Sequence, residues 1–223
     1  MASPVSHIVY AKKYFDSLEN GKINSDFSDE EKMNNARKIN KDEFILGAVF
    51  PDIRVIEPNI KRADLHLKFE PLTLDFSGLA SFEAGWKFHL YCDMRREEIL
   101  NNKKFYNLKN TAELFGRPAK FTEDELVYEE YNNWEKLAYY FRNPPVIDLG
   151  GSIDRQTIVL WYAILAKYIE EKVTIKTTRI FLSKHIKLTP KVDEIINAVL
   201  KLRENAAAVK ILLTVKDEIV NIG

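Results

Sequence analysis

Ala84-Gly85-Trp86-Lys87-Phe88-His89-Leu90-Tyr91-Cys92-Asp93 lies inside a stretch from about Gly78 to Asn101. Its apolar residues Phe82, Trp86, Leu90 and, after a charged stretch, Ile99 fit a long helix. His89 and Asp93 are four residues apart, so a helix stacks their side chains on one face, about 5–6 Å apart at Cβ. Phe82, Gly85 and Trp86 share that face, which therefore points inward. An ionisable pair on an apolar face has to be satisfied. An imidazole and a carboxylate at this spacing can converge on one divalent ion. By itself the pair reads equally as a histidine hydrogen-bonded to a carboxylate one turn away.

The flanking sequence reads the same way. Gly and Pro number only 8 each, so breakers are scarce and long helices are expected. Val5, Ile8, Val9, Phe15 and Leu18 predict an amphipathic helix that stops near Asn20-Gly21. Ser28-Asp29-Glu30-Glu31 has the capping-box pattern and opens a short polar helix to about Ile39. Lys41 to Phe50 is a compact apolar helix that Pro51 should end, because the residue before a proline disfavours helical geometry. Residues 53–77 read as irregular. Thr122-Glu123-Asp124-Glu125 is a second capping box, opening a helix that runs through Phe141. Pro144-Pro145 and Gly150-Gly151 interrupt the chain. Asp154 to Lys172 predicts a buried helix. Val173 to Leu188 is rich in β-branched residues, a strand signal by propensity, yet no partner strands are evident and helix is the better reading. Pro190 to Arg203 and Ala206 to Val220 complete the series. The expected fold is all-α, a compact multi-helix bundle forming one domain over 1–223, with a core over 1–143 and extra C-terminal helices over 152–223 packed on it.

Composition narrows the function. The 223 residues carry 33 basic and 33 acidic side chains, and this balance argues against a stable nucleic-acid partner or a charged membrane surface. A single cysteine, Cys92, excludes an intrachain disulfide framework and any cysteine-rich zinc module. It lies about 100° around the helix from Asp93, so packing suits it better than catalysis. No apolar run reaches the roughly 20 residues of a transmembrane segment. The N-terminus lacks a signal-peptide pattern, which points to a cytoplasmic protein. The aromatic run Tyr128, Tyr131, Trp134, Tyr139, Tyr140 and Phe141 reads as core rather than substrate groove.

Other candidate ligands precede the His89 helix in a fixed order. Ser6-His7 stands at a helix start. Leu46-Gly47-Ala48-Val49-Phe50-Pro51-Asp52 and Arg62-Ala63-Asp64-Leu65-His66 follow. With Gly85-x-x-x-His89-x-x-x-Asp93, this order over residues 6–93 resembles the zinc-dependent phospholipase C family, which is related to the single-strand-specific zinc nucleases. The resemblance implies that His66, His89 and Asp93 ligate one metal and that Asp93 bridges towards a second ion held by His7. Asp52 would be a ligand or the general base. The further His, His and Glu that complete a three-zinc cluster in that family have no counterpart here, where only His185 remains downstream. One or two divalent transition-metal ions are therefore expected, zinc foremost and iron, manganese or nickel compatible with the same mixed N/O donors.

The function implied is a metal-dependent phosphoester hydrolase acting through a metal-activated water on a small-molecule phosphoester. Asp52 is its catalytic residue, and Lys61, Arg62, Arg95 and Arg96 are candidate phosphate contacts. Arg95-Arg96-Glu97-Glu98 also reads as a solvated helix face. Two alternatives stand beside this reading. One is a non-catalytic helical binding or scaffold protein with a relict His/Asp site, whose C-terminal helices serve a partner or a homodimer. The other is an HD-like nucleotide phosphohydrolase, weakened because no His-Asp dipeptide occurs.

Overall fold

Helix α1 (Pro4–Glu19) begins on a proline in its first turn, where a missing amide costs nothing. It ends at Asn20, as its sequence predicts. The computed structural model describes residues 3–20, 39–66, 69–147 and 153–220. The expected Ser28–Ile39 helix lies outside them. Among the described residues there are ten α-helices and no strand. They are α1, α2 (Lys41–Val49), α3 (Arg62–His66), α4 (Ser81–Asn102), α5 (Arg117–Val127), α6 (Trp134–Arg142), α7 (Arg155–Ile169), α8 (Ile175–Leu182), α9 (Val192–Arg203) and α10 (Ala206–Glu218). None of the helices so described is long and apolar enough to cross a membrane.

Helix α2 is capped by Asn40, whose side chain accepts the Glu43 amide. At its other end the chain tightens into a 3-10 turn over Phe50–Val55 with Pro51 in its first turn. Helices α2 and α4 cross at two glycines. A Cβ added at Gly47 would meet the Phe82 carbonyl and lie 2.8 Å from the Trp86 nitrogen. A Cβ at Gly85 would meet the Phe44 carbonyl and lie 2.9 Å from the Ala48 nitrogen. Each backbone occupies the space of the other's missing side chain. Phe44, Phe50, Trp86 and Phe88 pack around the crossing in one core that also takes in Tyr14 and Phe76.

Two expectations fail at α5. Thr122-Glu123-Asp124-Glu125 does not start a helix but lies inside one. Gly116, in the left-handed region (φ 70), and Pro118 set its beginning. The acidic pair faces the interior instead of capping. Asp124 accepts the Ser6 amide (2.7 Å), the Ser6 hydroxyl (2.8 Å) and the Tyr168 hydroxyl (3.1 Å). Glu123 accepts the Tyr10 hydroxyl and pairs with buried Arg96 at 2.7 Å. Nor does this helix reach Phe141. It yields at Val127 to a 3-10 turn (Tyr128–Glu130), and α6 begins separately. Of the aromatic run, Tyr128, Trp134 and Phe141 are core, whereas Tyr139 is 68% exposed.

The β-branched stretch after Val173 is helical, as expected. Thr174 and Thr177 form a reciprocal capping box that starts α8. The C-terminal helices share the core of the first half. Trp161 donates to the Val49 carbonyl (3.1 Å) and Tyr162 to the Leu46 carbonyl (3.0 Å). The Ile186 amide donates to the Val55 carbonyl (3.0 Å), tying the loop after α8 to the Phe50–Val55 turn.

The α2–α4 crossing yields a first prediction. Gly85→Ala places a methyl group against backbone that cannot rotate away, and is expected to lower stability by about 3 kcal/mol or more. Urea unfolding of the two proteins measures it, and an unchanged midpoint contradicts so close a crossing.

Candidate metal centre

Five side chains from four elements meet beneath this crossing. His7 comes from the first turns of α1, Asp52 from the 3-10 turn after Pro51, and His66 from the end of α3. His89 and Asp93 stand one turn apart on α4. All three histidines are buried, with His89 inaccessible. Ligating atoms of His7, His89 and Asp93 lie within 4.8 Å of one another, and so do those of Asp52, His66 and His89. The rings of His7 and His89 stack with centroids 3.9 Å apart, and His66 meets His89 edge-on at 5.8 Å.

The hydrogen bonds set which atoms face inward. His89 Nδ1 lies 2.8 Å from the Ala48 carbonyl. A carbonyl only accepts, so Nδ1 carries the proton and Nε2 keeps its lone pair, the tautomer a metal-ligating histidine needs. Asp93 presents one oxygen to each neighbouring imidazole: Oδ1 is 3.5 Å from His7 Nε2, and Oδ2 is 3.6 Å from His89 Nε2. Both ring nitrogens of His7 and of His66, and Nε2 of His89, are buried with no hydrogen-bond partner among the described residues. Buried polar atoms are normally satisfied, at a cost of roughly 1–3 kcal/mol each when they are not. Several lone-pair nitrogens facing two carboxylates are the donor set of a divalent transition metal, and these residues fit such an ion. His89 Nε2 belongs to both triads, and one nitrogen serves one ion. A second ion would therefore rely on His7 and Asp93 without it.

Electrostatics favours the protonation states a metal requires. Burial lowers the His7 and His66 pKa values to about 4, so both rings are neutral at pH 7. Burial alone would raise the carboxyl of Asp52, but the Lys120 ammonium brings it below its ordinary value. Asp93 is likewise held well below the usual range against its burial.

A cavity of about 270 Å³ opens beside Asp52. Arg54, Lys120, His185 and Lys187 line it, with Trp161 and Phe181 as apolar wall. Sequence reading assigned none of these four polar groups to the site. His185 gave a weak signal as the fourth of four histidines, whereas Lys120 gave none. Of the phosphate contacts anticipated from sequence, three lie away from this cavity and one reaches its wall. Lys61, just before α3, and Arg62, its first residue, are exposed and do not line this cavity. Arg95 pairs with Glu98 at 2.7 Å. Arg96 reaches the cavity wall but is committed to Glu123. Cys92 is fully buried, and burial raises its thiol pKa, as suits a packing residue.

Comparison with protein-family models, with curated proteins and with solved structures gives no match to this chain.

The buried histidines make the ion-free protein acid-labile. His7, His66 and His185 titrate near 4 when folded, burial being the main cause in each, against about 6.5 in an unfolded chain. Between those values the unfolded chain binds more protons, so stability falls as pH drops. Asp124, raised to about 6 by burial, works in the opposite direction as a single group. The expected net loss between pH 7 and pH 5 is on the order of a few kcal/mol, read as a falling Tm of chelator-treated protein. A flat profile would show that these rings titrate normally.

Proposed function

We propose that this protein is a metal-dependent phosphoester hydrolase. The observation that supports it most is the convergence of His7, Asp52, His66, His89 and Asp93 from four elements, their unpartnered nitrogens turned towards two carboxylates. The order of these residues along the chain is the one that resembles the zinc-dependent phospholipase C family. His66, His89, Asp52 and Asp93 would hold one ion, and His7 with the second oxygen of Asp93 would hold another if two are bound. A bound divalent ion supplies acidified water near neutral pH and positive charge for a phosphoryl oxygen.

The chain's own groups do the rest. Asp52 borders both the ligand cluster and the cavity, and its lowered pKa keeps it ionised to orient a water or take its proton. Ala48 keeps the proton of His89 on Nδ1, so that ring acts as an electron-pair donor rather than an acid. Trp161 and Phe181 exclude water from one side of the cavity. The existence of this cavity favours catalysis over a relict metal site. A small-molecule substrate and a cytoplasmic setting belong to the same proposal.

Elemental analysis of purified protein is expected to show about one equivalent of transition metal or more, lost in His89→Ala. Turnover of chromogenic phosphomonoesters and phosphodiesters with added Zn²⁺, Mn²⁺ or Ni²⁺ is expected to fall about 10²–10⁴-fold in Asp52→Asn. Metal without turnover would leave only a metal-binding helical protein, and no metal under any condition would end the hydrolase reading.

A further inference from the structure

The C-terminal half contributes a group to the site that the metal ligands do not explain. His185 follows α8 and is only 6% exposed. Neither of its ring nitrogens has a hydrogen-bond partner among the described residues, and its ring stands edge-on to Phe181 at 4.6 Å. It lines the cavity at Asp52, held there because the next residue, Ile186, bonds the Val55 carbonyl. A buried imidazole with two unpartnered nitrogens in a cavity wall is a hydrogen-bonding group in want of a ligand.

Lys120 of α5 lines the same cavity, with no carboxylate of the described residues within 4.0 Å of its ammonium. Arg54 and Lys187 also line the cavity, as does Arg96, which is paired with Glu123. The acidic residues of the lining are Asp52, which belongs to the ligand cluster, and Glu97, which accepts the Tyr106 hydroxyl at 2.9 Å. One wall of the cavity is thus cationic and rich in donors, and the metal centre borders it at Asp52.

We infer that Lys120 and His185, with Arg54 beside them, form an anion subsite for the phosphoryl oxygens of a phosphomonoester dianion. The inference rests on the hydrolase reading for its chemistry but on different residues for its geometry. A monoester carries one more negative charge than a diester and needs donors beyond those a metal neutralises. The same wall disfavours a diester bearing a quaternary ammonium, because like charges would meet in a partly enclosed space. Lys120 acts as a point charge and His185 as a neutral N–H donor, and both are substrate-binding groups.

The test is a calorimetric titration of the purified protein with inorganic phosphate, with elemental analysis of the same samples. Saturable binding is expected. Lys120→Gln and His185→Gln should each raise Kd about 10- to 100-fold with metal content unchanged, and Lys120→Arg should restore most of the affinity. Lys120 is only partly buried, so its variants keep the test valid should His185→Gln unfold. In turnover, both Gln variants should raise KM for p-nitrophenyl phosphate, while p-nitrophenyl phosphorylcholine should be a poor substrate for the wild type. Soluble glycerol 3-phosphate and vesicles containing phosphatidic acid tell whether the monoester is free or lipid-borne; rejection of both overturns the inference. Phosphate affinity unchanged in the variants also overturns it, and leaves the hydrolase reading intact if metal and turnover persist. Phosphate held through Lys120 and His185 in protein that takes up no metal would sink the hydrolase reading alone.

Discussion

The crossing of α2 and α4 at Gly47 and Gly85 governs the rest of the structure. With no Cβ on either glycine, each helix backbone seats in the other's groove, and aromatic side chains close around the contact. One turn beyond the contact, the approach brings the Ala48 carbonyl to 2.8 Å from His89 Nδ1. That bond orients the ring, assigns its proton and directs Nε2 at Asp93. A wider crossing would part the carbonyl from the ring and leave the tautomer unspecified. The same approach carries Pro51 and the turn that aims Asp52 towards the α4 face. Fold and chemistry thus meet in one backbone contact.

A second constraint fixes α1, without which His7 would have no place in the cluster. Ser6 bonds Asp124, and Tyr10 bonds Glu123, which in turn pairs with Arg96 of α4. This buried polar seam is satisfied at nearly every position and joins α1, α4, α5 and α7. Such networks contribute less to net stability than to uniqueness of arrangement, since losing one partner strands the others in low dielectric. The seam clamps α1 on both sides of His7, so the imidazole stacks on His89 rather than swinging away.

Much of this was legible in the sequence because the helices obey periodicity and local stop signals. Pro51, Asn20 and the apolar stripes mark real boundaries. The five candidate ligands share one cluster because their relevant spacings are short-range or lie on adjoining elements. What sequence could not convey depends on distant contacts. Thr122-Glu123-Asp124-Glu125 satisfies the capping pattern, but the acidic pair is claimed by residues more than a hundred positions away in α1. Lys120 and His185 carry no local signature, since their relation to Asp52 arises only when α5 and the loop after α8 close over the Phe50–Val55 turn. Arg95, conspicuous in sequence, is spent on Glu98.

Charge balance connects the two parts of the site. Asp52 and Asp93 are ionised and buried beside the neutral rings of His7 and His66, so the ligand cluster carries negative charge in a medium that penalises it. A divalent ion held there would offset those two charges. With the carboxylates so neutralised, the cationic side chains Lys120 and Lys187 would dominate the charge lining the cavity. The cationic wall is then costly in isolation and favourable when an anion fills the space between it and the ion. Under the proposed function the ordering follows from Coulomb's law at short range and low dielectric: an ion would prepare the cavity for an anion, and the anion would in turn strengthen retention of the ion. The two halves of the chain, one supplying ligands and the other supplying part of the opposing wall, are for this reason a single electrostatic unit.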